Sequence, residues 1–488
     1  MANAAGTISS AGIGSGLDVS SIVTSLMSVE RLPLTKLQNQ ATGMQTRLSA
    51  FGQMQSLVGT LRDAAGPLSK ADSYAITNSS STDALSVNAS SSIKAVPGSY
   101  LVAVSALSST QTNVSASGQF TAGTDVVGSG TITLRLGTWS TGQTSFTPKT
   151  GSADVVIPVG ASEGTLAGIR DKINAANAGV SATVVTDATG ARLALQSTAT
   201  GAENGFRITV ADDDTVNNDA AGLSRLAYDP PAPASANQMG LTQSAANTQA
   251  TINGIAVSTI GNTLTDVVDG MTFTLGKVTT SPVTVTVTRN TDAVKTMLTG
   301  FVSAYNALNN FLTTVTAYNP ASKQGALLQG AAATTGLQNQ LRAMLGMPSS
   351  ASSTYSTFSA VGVEFQKDGS IKLNDTKVAA TLKNLPELTK AMATVDSSDA
   401  TKNGLAKKIG TWADGLLAAT GALPGKAKSI QAQIASNTKD QAQASDRIDA
   451  TERRIRAQYT ALDKTMSEAN GLSKYVQQQI TTWNRSTG

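Results

Sequence analysis

Residues 428–470 read KSIQAQIASNTKDQAQASDRIDATERRIRAQYTALDKTMSEAN, a stretch without proline or glycine. Apolar residues recur in it every seven positions, with Gln441 as the interruption: Ile434, Ile448, Ile455, Leu462 and Ala469. A seven-residue apolar period is typical of a helix that packs along another helix. The stretch therefore predicts a long amphipathic helix near the end of the chain.

A second seven-residue period lies near the start of the chain. Its members are Leu37, Met44, Phe51, Val58 and Ala65, with Ala41 and Leu48 at the half-steps. Pro33 predicts a break before this helix, and Gly66-Pro67 predicts its end at about Ala65, because proline donates no amide hydrogen and restricts its predecessor. Two long helices therefore bracket the chain, and we predict that its two ends come back together.

The tail helix is predicted to be marginal by itself. Its second seam position holds small or polar residues: Asn437, Ala444, Thr451, Gln458 and Thr465. Burying its four large aliphatic side chains contributes about 6–12 kcal/mol, whereas ordering the backbone costs roughly 1–2 kcal/mol per residue. We predict that this helix becomes ordered only on a partner, which is the N-terminal helix, another copy of the chain or a different protein.

The composition argues against an enzyme. The 488 residues include no cysteine and no histidine, which excludes disulfides, thiolate metal sites, cysteine nucleophiles and Ser-His triads. Only 14% of the residues are charged and 4% are aromatic, although 40% are hydrophobic. The length predicts three or four domains, and the composition favours an extended protein with several small cores. No cofactor and no metal are expected.

Charge and hydropathy exclude further classes. The net charge is +4, and basic residues of the tail such as Arg453, Arg454 and Arg456 alternate with Asp449 and Glu452. This alternation predicts a solvated helix face rather than a nucleic-acid surface. No run of eighteen apolar residues is present, so no membrane span is expected. The N-terminal MANAAGTISS lacks the features of a secretory signal, which predicts a cytoplasmic protein or export without a cleaved signal.

The glycine-rich start permits two interpretations. Gly12, Gly14 and Gly16 resemble a phosphate-binding loop, but no hydrophobic strand precedes them, as a dinucleotide fingerprint requires. The favoured alternative is a turn before Asp18, which caps a helix. The apolar residues of that helix are Val19, Ile22, Val23, Leu26 and Met27.

The middle of the chain predicts short strands. Alternation with a period of two occurs around Val102 and around Leu134, and a helical period covers residues 165–179. A hairpin is predicted after it, with Asp187-Ala188-Thr189-Gly190 as its turn. The acidic run Asp212–Asp214 has oxygen ligands of the kind that calcium uses, but a solvated loop is the favoured interpretation.

A Pro/Ala-rich linker at residues 229–234 predicts a boundary between two β-rich regions. A second strand series begins near Thr251, with Asn253-Gly254 as a tight-turn signal, and a helix begins at Thr291. The predicted fold class is therefore α+β multidomain, with long terminal helices that enclose inserted antiparallel β-rich domains.

Four segments resemble the FliD family of bacterial flagellar filament capping proteins. The first is ISSAGIGSGLDVSSIVTSLMSVERLPLTKL at residues 8–37, and the second is TLAGIRDKINAANAGVSATVV at residues 165–185, a motif that some flagellins share. The third is INGIAVSTIGNTLTDVVDGMTFTL at residues 252–275, with VGVEFQKDGSIKLN at residues 361–374. The fourth is the ending SKYVQQQITTWN at residues 473–484.

The resemblance implies a domain plan. Residues 1–36 and 440–488 form leg helices that are disordered until assembly, and residues 37–72 and 290–439 form a helical domain. Residues 73–107 and 240–289 form one β-rich domain, and residues 108–239 form a second one inserted into it.

The resemblance also implies a function. Several copies, most often five, form an annular cap at the distal filament end, which retains exported flagellin and promotes its folding and insertion. The expected partners are further copies, flagellin, hook–filament junction proteins and an export chaperone. Export follows the flagellar type III route to the filament tip.

The candidate contact residues belong to the terminal helices. We expect helix packing by Met44, Phe51, Val58, Ile434, Ile448, Ile455 and Leu462, and leg contacts by Ile13, Leu17, Ile22 and Leu26. Two alternatives remain: another flagellar axial protein (a flagellin or a hook–filament junction protein), or a surface adhesin that binds mucin or glycan through the β insertion.

Overall fold

The computed structural model describes residues 18–232 and 239–485. The chain divides into two compact units, a helical unit formed by Met1–Ser73 with Asp292–Gly488 and a β unit formed by Tyr74–Thr291. The predicted fold class, terminal helices enclosing inserted antiparallel sheets, is confirmed. Within the described ranges, every helix is too short or too polar to cross a membrane.

Ten α-helices are described, and all but α3 belong to the helical unit. They are α1 (Val19–Glu30), α2 (Leu32–Leu68), α3 (Leu166–Ala175), α4 (Thr291–Thr316), α5 (Ala332–Gly346), α6 (Phe358–Val361), α7 (Asp375–Leu382), α8 (Leu385–Ala393), α9 (Leu405–Leu417) and α10 (Ala422–Arg485). The long helix α2 packs along both α9 and α10. The N-terminal and C-terminal parts of the chain therefore build one helical unit together.

The first two helices begin and break where the sequence predicts. The Asp18 carboxylate accepts a hydrogen bond from the Ser21 N–H at 2.9 Å, which caps the start of α1. Pro33 lies in the first turn of α2, where its missing N–H costs no helical hydrogen bond. The predicted end of α2 is three residues too early, because Pro67 is accommodated in the last turn and Ser69 closes the helix with N–H bonds to Ala65 and Gly66.

The C-terminal helix is longer than predicted at both ends. α10 contains 64 residues and includes Pro424, Gly425 and Gly471. Pro424 lies in the first turn and is tolerated there, while a glycine inside a helix costs only about 1 kcal/mol relative to alanine. The helix therefore continues past Asn470, where we expected it to end.

Smaller elements complete the helical unit around α4. Phe301 of α4 stacks on Phe358 of α6 with ring centroids 5.3 Å apart and planes at 5°. Two short hairpins lie in this part of the chain, formed by β17 (Tyr318–Asn319) with β18 (Gln324–Gly325) and by β19 (Val363–Phe365) with β20 (Ile371–Leu373). The side-chain amide of Asn306 bonds both the N–H and the C=O of Ile371, which fixes the second hairpin to α4.

The β unit contains sixteen described strands. They are β1 (Thr77–Ser81), β2 (Val87–Ser91), β3 (Gly98–Ala106), β4 (Thr112–Ser115), β5 (Gly130–Trp139), β6 (Phe146–Pro148), β7 (Val155–Val159), β8 (Val180–Asp187), β9 (Gly190–Ser197), β10 (Gly205–Asp212), β11 (Met239–Gln243), β12 (Thr248–Ile252), β13 (Ile255–Thr259), β14 (Thr263–Val268), β15 (Met271–Leu275) and β16 (Val283–Arg289). Every strand pairing in this unit is antiparallel.

One hydrophobic core of the β unit lies between two sheets. The five-stranded sheet has the order β1-β16-β3-β12-β13, and the three-stranded sheet has the order β14-β15-β2. Val102, Val285 and Phe273 are among the fully buried side chains that fill this core. The chain enters and leaves the unit on neighbouring strands, because Thr77 of β1 pairs with Arg289 of β16.

A second core contains α3 and two four-stranded sheets. These sheets are β10-β5-β6, in which β7 pairs with β5 on the same edge as β6, and β11-β4-β9-β8. Leu166, Ile169 and Ile173 of α3 are buried in this core, as the predicted helical period requires. The hydroxyl of Thr165 caps the helix by accepting from the Gly168 N–H at 3.1 Å.

Two predicted turns have the expected backbone conformations. Asn253 and Gly254 join β12 to β13 with φ angles of 50° and 83°, as a tight hairpin turn requires. In the β8–β9 turn, Gly190 has a φ of 116°, and a Cβ added there would lie 2.1 Å from the Phe120 carbonyl oxygen. Only glycine fits that position. The predicted linker at residues 229–234 falls partly outside the described residues.

Candidate functional site

The two ends of the chain meet along a helical seam. Val19, Val23 and Met27 of α1 form a buried cluster with Ile448 of α10, and Leu34, Ile455 and Tyr459 pack against this cluster as partly buried residues. The seam results from the apolar period of each helix, because residues four apart lie on one face. The prediction that the two ends come together is confirmed for α1, α2 and α10.

Charged side chains flank this seam. Glu452 of α10 pairs with Arg31 at 3.4 Å and with Arg456 at 2.8 Å. The hydrogen bond from Arg456, together with the charges of both arginines, lowers the pKa of the Glu452 carboxyl below its ordinary value. Arg31 lies between α1 and α2, so this ion pair links the α1–α2 junction to the C-terminal helix.

The α2–α10 packing contains a polar residue at its buried face. Asn437 is almost fully buried, and its Oδ1 accepts a hydrogen bond from the Gln441 side-chain amide at 2.6 Å. Leu423 and Ile430 are the buried apolar residues that precede it on α10. A single polar residue in a helical seam favours one register of packing at some cost in stability.

The apolar face of α10 continues beyond the seam. Past Tyr459, it carries large apolar residues that are substantially exposed: Leu462 (46%), Met466 (39%), Val476 (47%) and Ile480 (52%). Their successive spacings of four, ten and four residues place them on one face of the helix, in a row that we call the distal stripe. The part of the chain that the structure describes leaves this stripe open to solvent.

The predicted contact residues are buried, half-buried, exposed or outside the described part of the chain. Phe51, Val58 and Ile448 are buried inside the helical unit. Met44, Ile434, Ile455 and Ile22 are half-buried, whereas Leu26 (43%) and Leu462 are exposed. Ile13 and Leu17 lie outside the described residues, as do Gly12, Gly14 and Gly16 of the glycine-rich turn.

A large cavity of the helical unit lies away from the seam. It has a volume of about 920 Å³, is bordered by Met344, Met347 and Trp412, and contains serines of the loop 349–356. Lys408 donates to the carbonyls of Pro348 and Thr401 at 2.9 and 3.0 Å, and burial lowers the pKa of its ammonium group. Lys408 thus fixes the backbone at Pro348 and Thr401, and the side chains named here include no acid–base pair. Sequence reasoning missed this cavity because its walls come from distant segments.

The acidic run has a structural role. Asp212 accepts from the Ser224 N–H at 3.3 Å, and Asp214 accepts from the Val216 N–H at 2.8 Å. Across residues 18–232 and 239–485, no group of three acidic side chains is arranged to hold a metal ion.

Three sequence families match the chain. They are described as the N-terminus of flagellar hook-associated protein 2 (residues 15–111), its C-terminus (residues 245–471) and the flagellin hook IN motif (residues 145–199). The last of these spans α3 and β8, where the sequence resembles a motif shared with flagellins. The first two cover most of the N-terminal and C-terminal helices, together with the core between the five-stranded and three-stranded sheets.

Relatives and solved structures agree with these matches. Flagellar hook-associated protein 2 of Escherichia coli K12 is 34% identical over 97% of this chain and 98% of its own length. B-type flagellar hook-associated protein 2 of Pseudomonas aeruginosa is 29% identical over 96% of both chains. The crystal structure of the D1-D2-D3 domains of the Escherichia coli flagellar cap protein FliD covers 78% of this chain and 99% of its own, with a TM-score of 0.58 and 30% identity.

The chain belongs to the flagellar hook-associated protein 2 family, the flagellar cap proteins. The predicted family and the predicted role as a structural cap protein are thereby confirmed. These relatives do not support the alternatives of a flagellin, a junction protein or an adhesin. This is a family of structural proteins of the flagellum.

Proposed function

We propose that several copies of this chain, most often five, form an annular cap at the distal end of the flagellar filament. The cap retains exported flagellin and promotes its folding and insertion. Family membership supports this role, since the solved Escherichia coli relative is described as a flagellar cap protein. The chain does this work by binding and positioning other proteins, and we propose no enzymatic activity for it.

The observation that carries this proposal is the distal stripe of α10. Its residues continue the apolar row that buries Ile448 against α1, so the stripe has the chemistry of a helix–helix contact without a described partner helix. The helix runs about 39 Å beyond Tyr459 at 1.5 Å per residue. We propose that this length packs against neighbouring copies and flagellin, and that it becomes ordered on assembly.

The same proposal assigns the remaining contact residues. Ile13, Leu17, Ile22 and Leu26 act as leg contacts, and Leu462 belongs to the residues that carry helix packing. Met44, Phe51, Val58, Ile434, Ile448 and Ile455 hold the helices that present these legs. The helical legs comprise residues 1–36 and 440–488, and the helical domain comprises residues 37–72 and 290–439.

The two cores of the β unit support the remaining division, into residues 73–107 with 240–289 and residues 108–239. We also propose contacts with the hook–filament junction proteins and with a flagellar export chaperone before export. Export follows the flagellar type III route to the filament tip. No contact with nucleic acid is proposed.

The test is complementation of a strain that lacks the gene. We expect the deletion strain to shed flagellin into the medium as monomer, and purified protein to restore filament growth on bare hooks. The variant Leu462→Ser/Val476→Ser/Ile480→Ser removes the distal stripe and is expected to lose rescue. Lys464→Ser/Gln478→Ser/Thr482→Ser changes the opposite face of the same helix and is expected to rescue normally. Normal filaments in the deletion strain would contradict the cap function.

A further inference from the structure

The two compact units carry opposite formal charges. The β unit contains 10 Lys/Arg and 14 Asp/Glu, a net charge of −4, which leaves 26 Lys/Arg and 18 Asp/Glu for the helical unit, a net charge of +8. Opposite charges on different surfaces of one chain attract when copies meet. The positions of the charged residues within each unit indicate which surfaces of two copies attract each other.

The positive charge of the helical unit is concentrated where acids are missing. Residues 31–62, 293–363 and 415–439 contain no aspartate and no glutamate. These three segments meet at a cavity of about 240 Å³, which we call the basic notch; it is lined by Met44, Arg47, Phe51, residues 327–331, Lys426, Ile430 and Gln433. The notch therefore has no carboxylate in its lining.

The floor of the basic notch is apolar and its rim is cationic. Phe51, Leu328 and Ile430 are buried, whereas Arg47 and Lys426 are exposed. Neither cation forms an ion pair or a side-chain hydrogen bond with a described residue. Two like charges beside one apolar cavity repel each other, and an anionic partner removes that repulsion.

The β unit presents a matching acidic surface at residues 266–269, where the irregular end of β14 leads into the turn before β15, and we call it the acidic tip. Asp266 and Asp269 are exposed there, and no described residue binds their carboxylates. Val267 between them is 37% exposed. Asp266 has a φ of 55°, a conformation that few non-glycine residues adopt.

The acidic tip differs from the turns that contain Asp125, Asp212 and Asp214. Asp212 and Asp214 are occupied by backbone N–H groups of their own loop, and Asp125 accepts from the backbone and hydroxyl of Thr121. Those carboxylates stabilise turns. The pair at the acidic tip has no such internal role and flanks an exposed valine, which matches the two cations and the apolar floor of the basic notch.

We propose that the basic notch of one copy receives the acidic tip of a second copy, with Asp266 and Asp269 facing Arg47 and Lys426 and with Val267 over the apolar floor. This inference rests on the proposed cap oligomer and names one contact within it. The two surfaces differ, so the contact is heterologous, and repetition of a heterologous contact generates a ring when the rotation closes.

Cross-linking tests the contact directly, because the chain contains no cysteine. Lys426→Cys and Val267→Cys are mixed at a concentration where the wild type is oligomeric, and a short bismaleimide is added. We expect a cross-linked dimer from the mixture in excess over either variant alone. Val185→Cys replaces Val267→Cys in the control, because Val185 is another exposed valine of the β unit, on β8, with 50% exposure against 37% for Val267. Equal yields from Val267→Cys and Val185→Cys would overturn the proposal.

Charge reversal provides an independent measurement. Arg47→Glu/Lys426→Glu and Asp266→Lys/Asp269→Lys are each expected to weaken self-association at least about tenfold at low salt, and the chain with all four changes is expected to recover it. Sedimentation velocity gives the association constants, and circular dichroism checks that these exposed substitutions leave the fold intact. Oligomers unaffected by either reversal would overturn the contact while leaving the cap proposal standing. A wild type that stays monomeric at every concentration and on filament ends would overturn both.

Discussion

Arg31 and Glu452 lie 421 positions apart in the sequence, and their side chains form an ion pair with an Nη2–Oε2 distance of 3.4 Å. The pair joins the α1–α2 junction to α10, beside the apolar cluster around Ile448. Glu452 also accepts two hydrogen bonds from Arg456, at 3.0 and 2.8 Å. One carboxylate thus links two arginines at the edge of the seam.

This carboxylate makes the seam sensitive to acid. The hydrogen bond and charge of Arg456, with the charge of Arg31, lower the pKa of Glu452 in the folded protein. Its stabilising contribution is therefore fully present above the unfolded pKa, about 4.3, and is lost as the pH falls through the lower folded value. We expect Glu452→Gln to lower the melting temperature at pH 7, and this difference to shrink below about pH 4.3. Glu468→Gln on the same helix is the control, and an equal effect of both variants would contradict the expectation.

The α1 helix is expected to depend on its buried face. Val23 is 1% exposed in the cluster with Ile448, so Val23→Ala should cost about 2 kcal/mol through lost burial and the cavity that remains. Leu26→Ala on the exposed side should cost less than about 0.5 kcal/mol. Hydrogen exchange of the α1 amides measures both values. Similar protection in the two variants would show that α1 does not dock through Val23.

The stacked pair Phe301–Phe358 is expected to be a stability centre of the helical unit. Phe358 is almost fully buried, and Phe358→Ala should lower the free energy of unfolding by about 3–5 kcal/mol. Phe365 is 43% exposed, so Phe365→Ala should cost about 1 kcal/mol or less. Urea denaturation followed by circular dichroism compares the two. Equal midpoints would contradict the assigned role of the stack.

The β8–β9 turn is expected to require glycine. Gly190→Ala places a Cβ 2.1 Å from the Phe120 carbonyl oxygen at a φ of 116°, and should cost about 3 kcal/mol or more. Gly142 also has a positive φ, of 77°, but no atom lies within 4 Å of the position that an added Cβ would occupy. Gly142→Ala should therefore cost only about 1–2 kcal/mol. Thermal unfolding of the excised β unit distinguishes these values once that fragment is shown to fold; otherwise the intact chain is used. Equal losses would mean that the close contact carries no cost.

Local signals explain why much of the fold is readable from the sequence. α3 and the β8–β9 hairpin follow from the helical period at residues 165–179 and the turn at residues 187–190, all within one short segment. The α1 cap at Asp18 follows in the same way. In each case the residues that determine the structure are neighbours in the chain.

Structural features that combine distant segments of the chain could not be predicted from the sequence. The basic notch combines Arg47, Lys426 and the turn 327–331, and no periodicity in any one of these segments indicates the others. The predicted α10 is too short because Pro424 and Gly471 look like breaks, although the first helical turn tolerates proline and one glycine inside a helix costs only about 1 kcal/mol. The sequence predicts that each terminal helix has an amphipathic face. It does not predict which side chains of the other helices that face buries.

The adjacent pairing of β1 with β16 has an evolutionary consequence. Because Thr77 lies opposite Arg289, and Asn290 donates its N–H to the Ile76 carbonyl, the two chain crossings into the β unit run side by side. A segment whose ends are neighbours can be exchanged, lengthened or removed with little disturbance to the surrounding fold. The β unit can therefore diversify between bacteria without altering the packing of the helical unit.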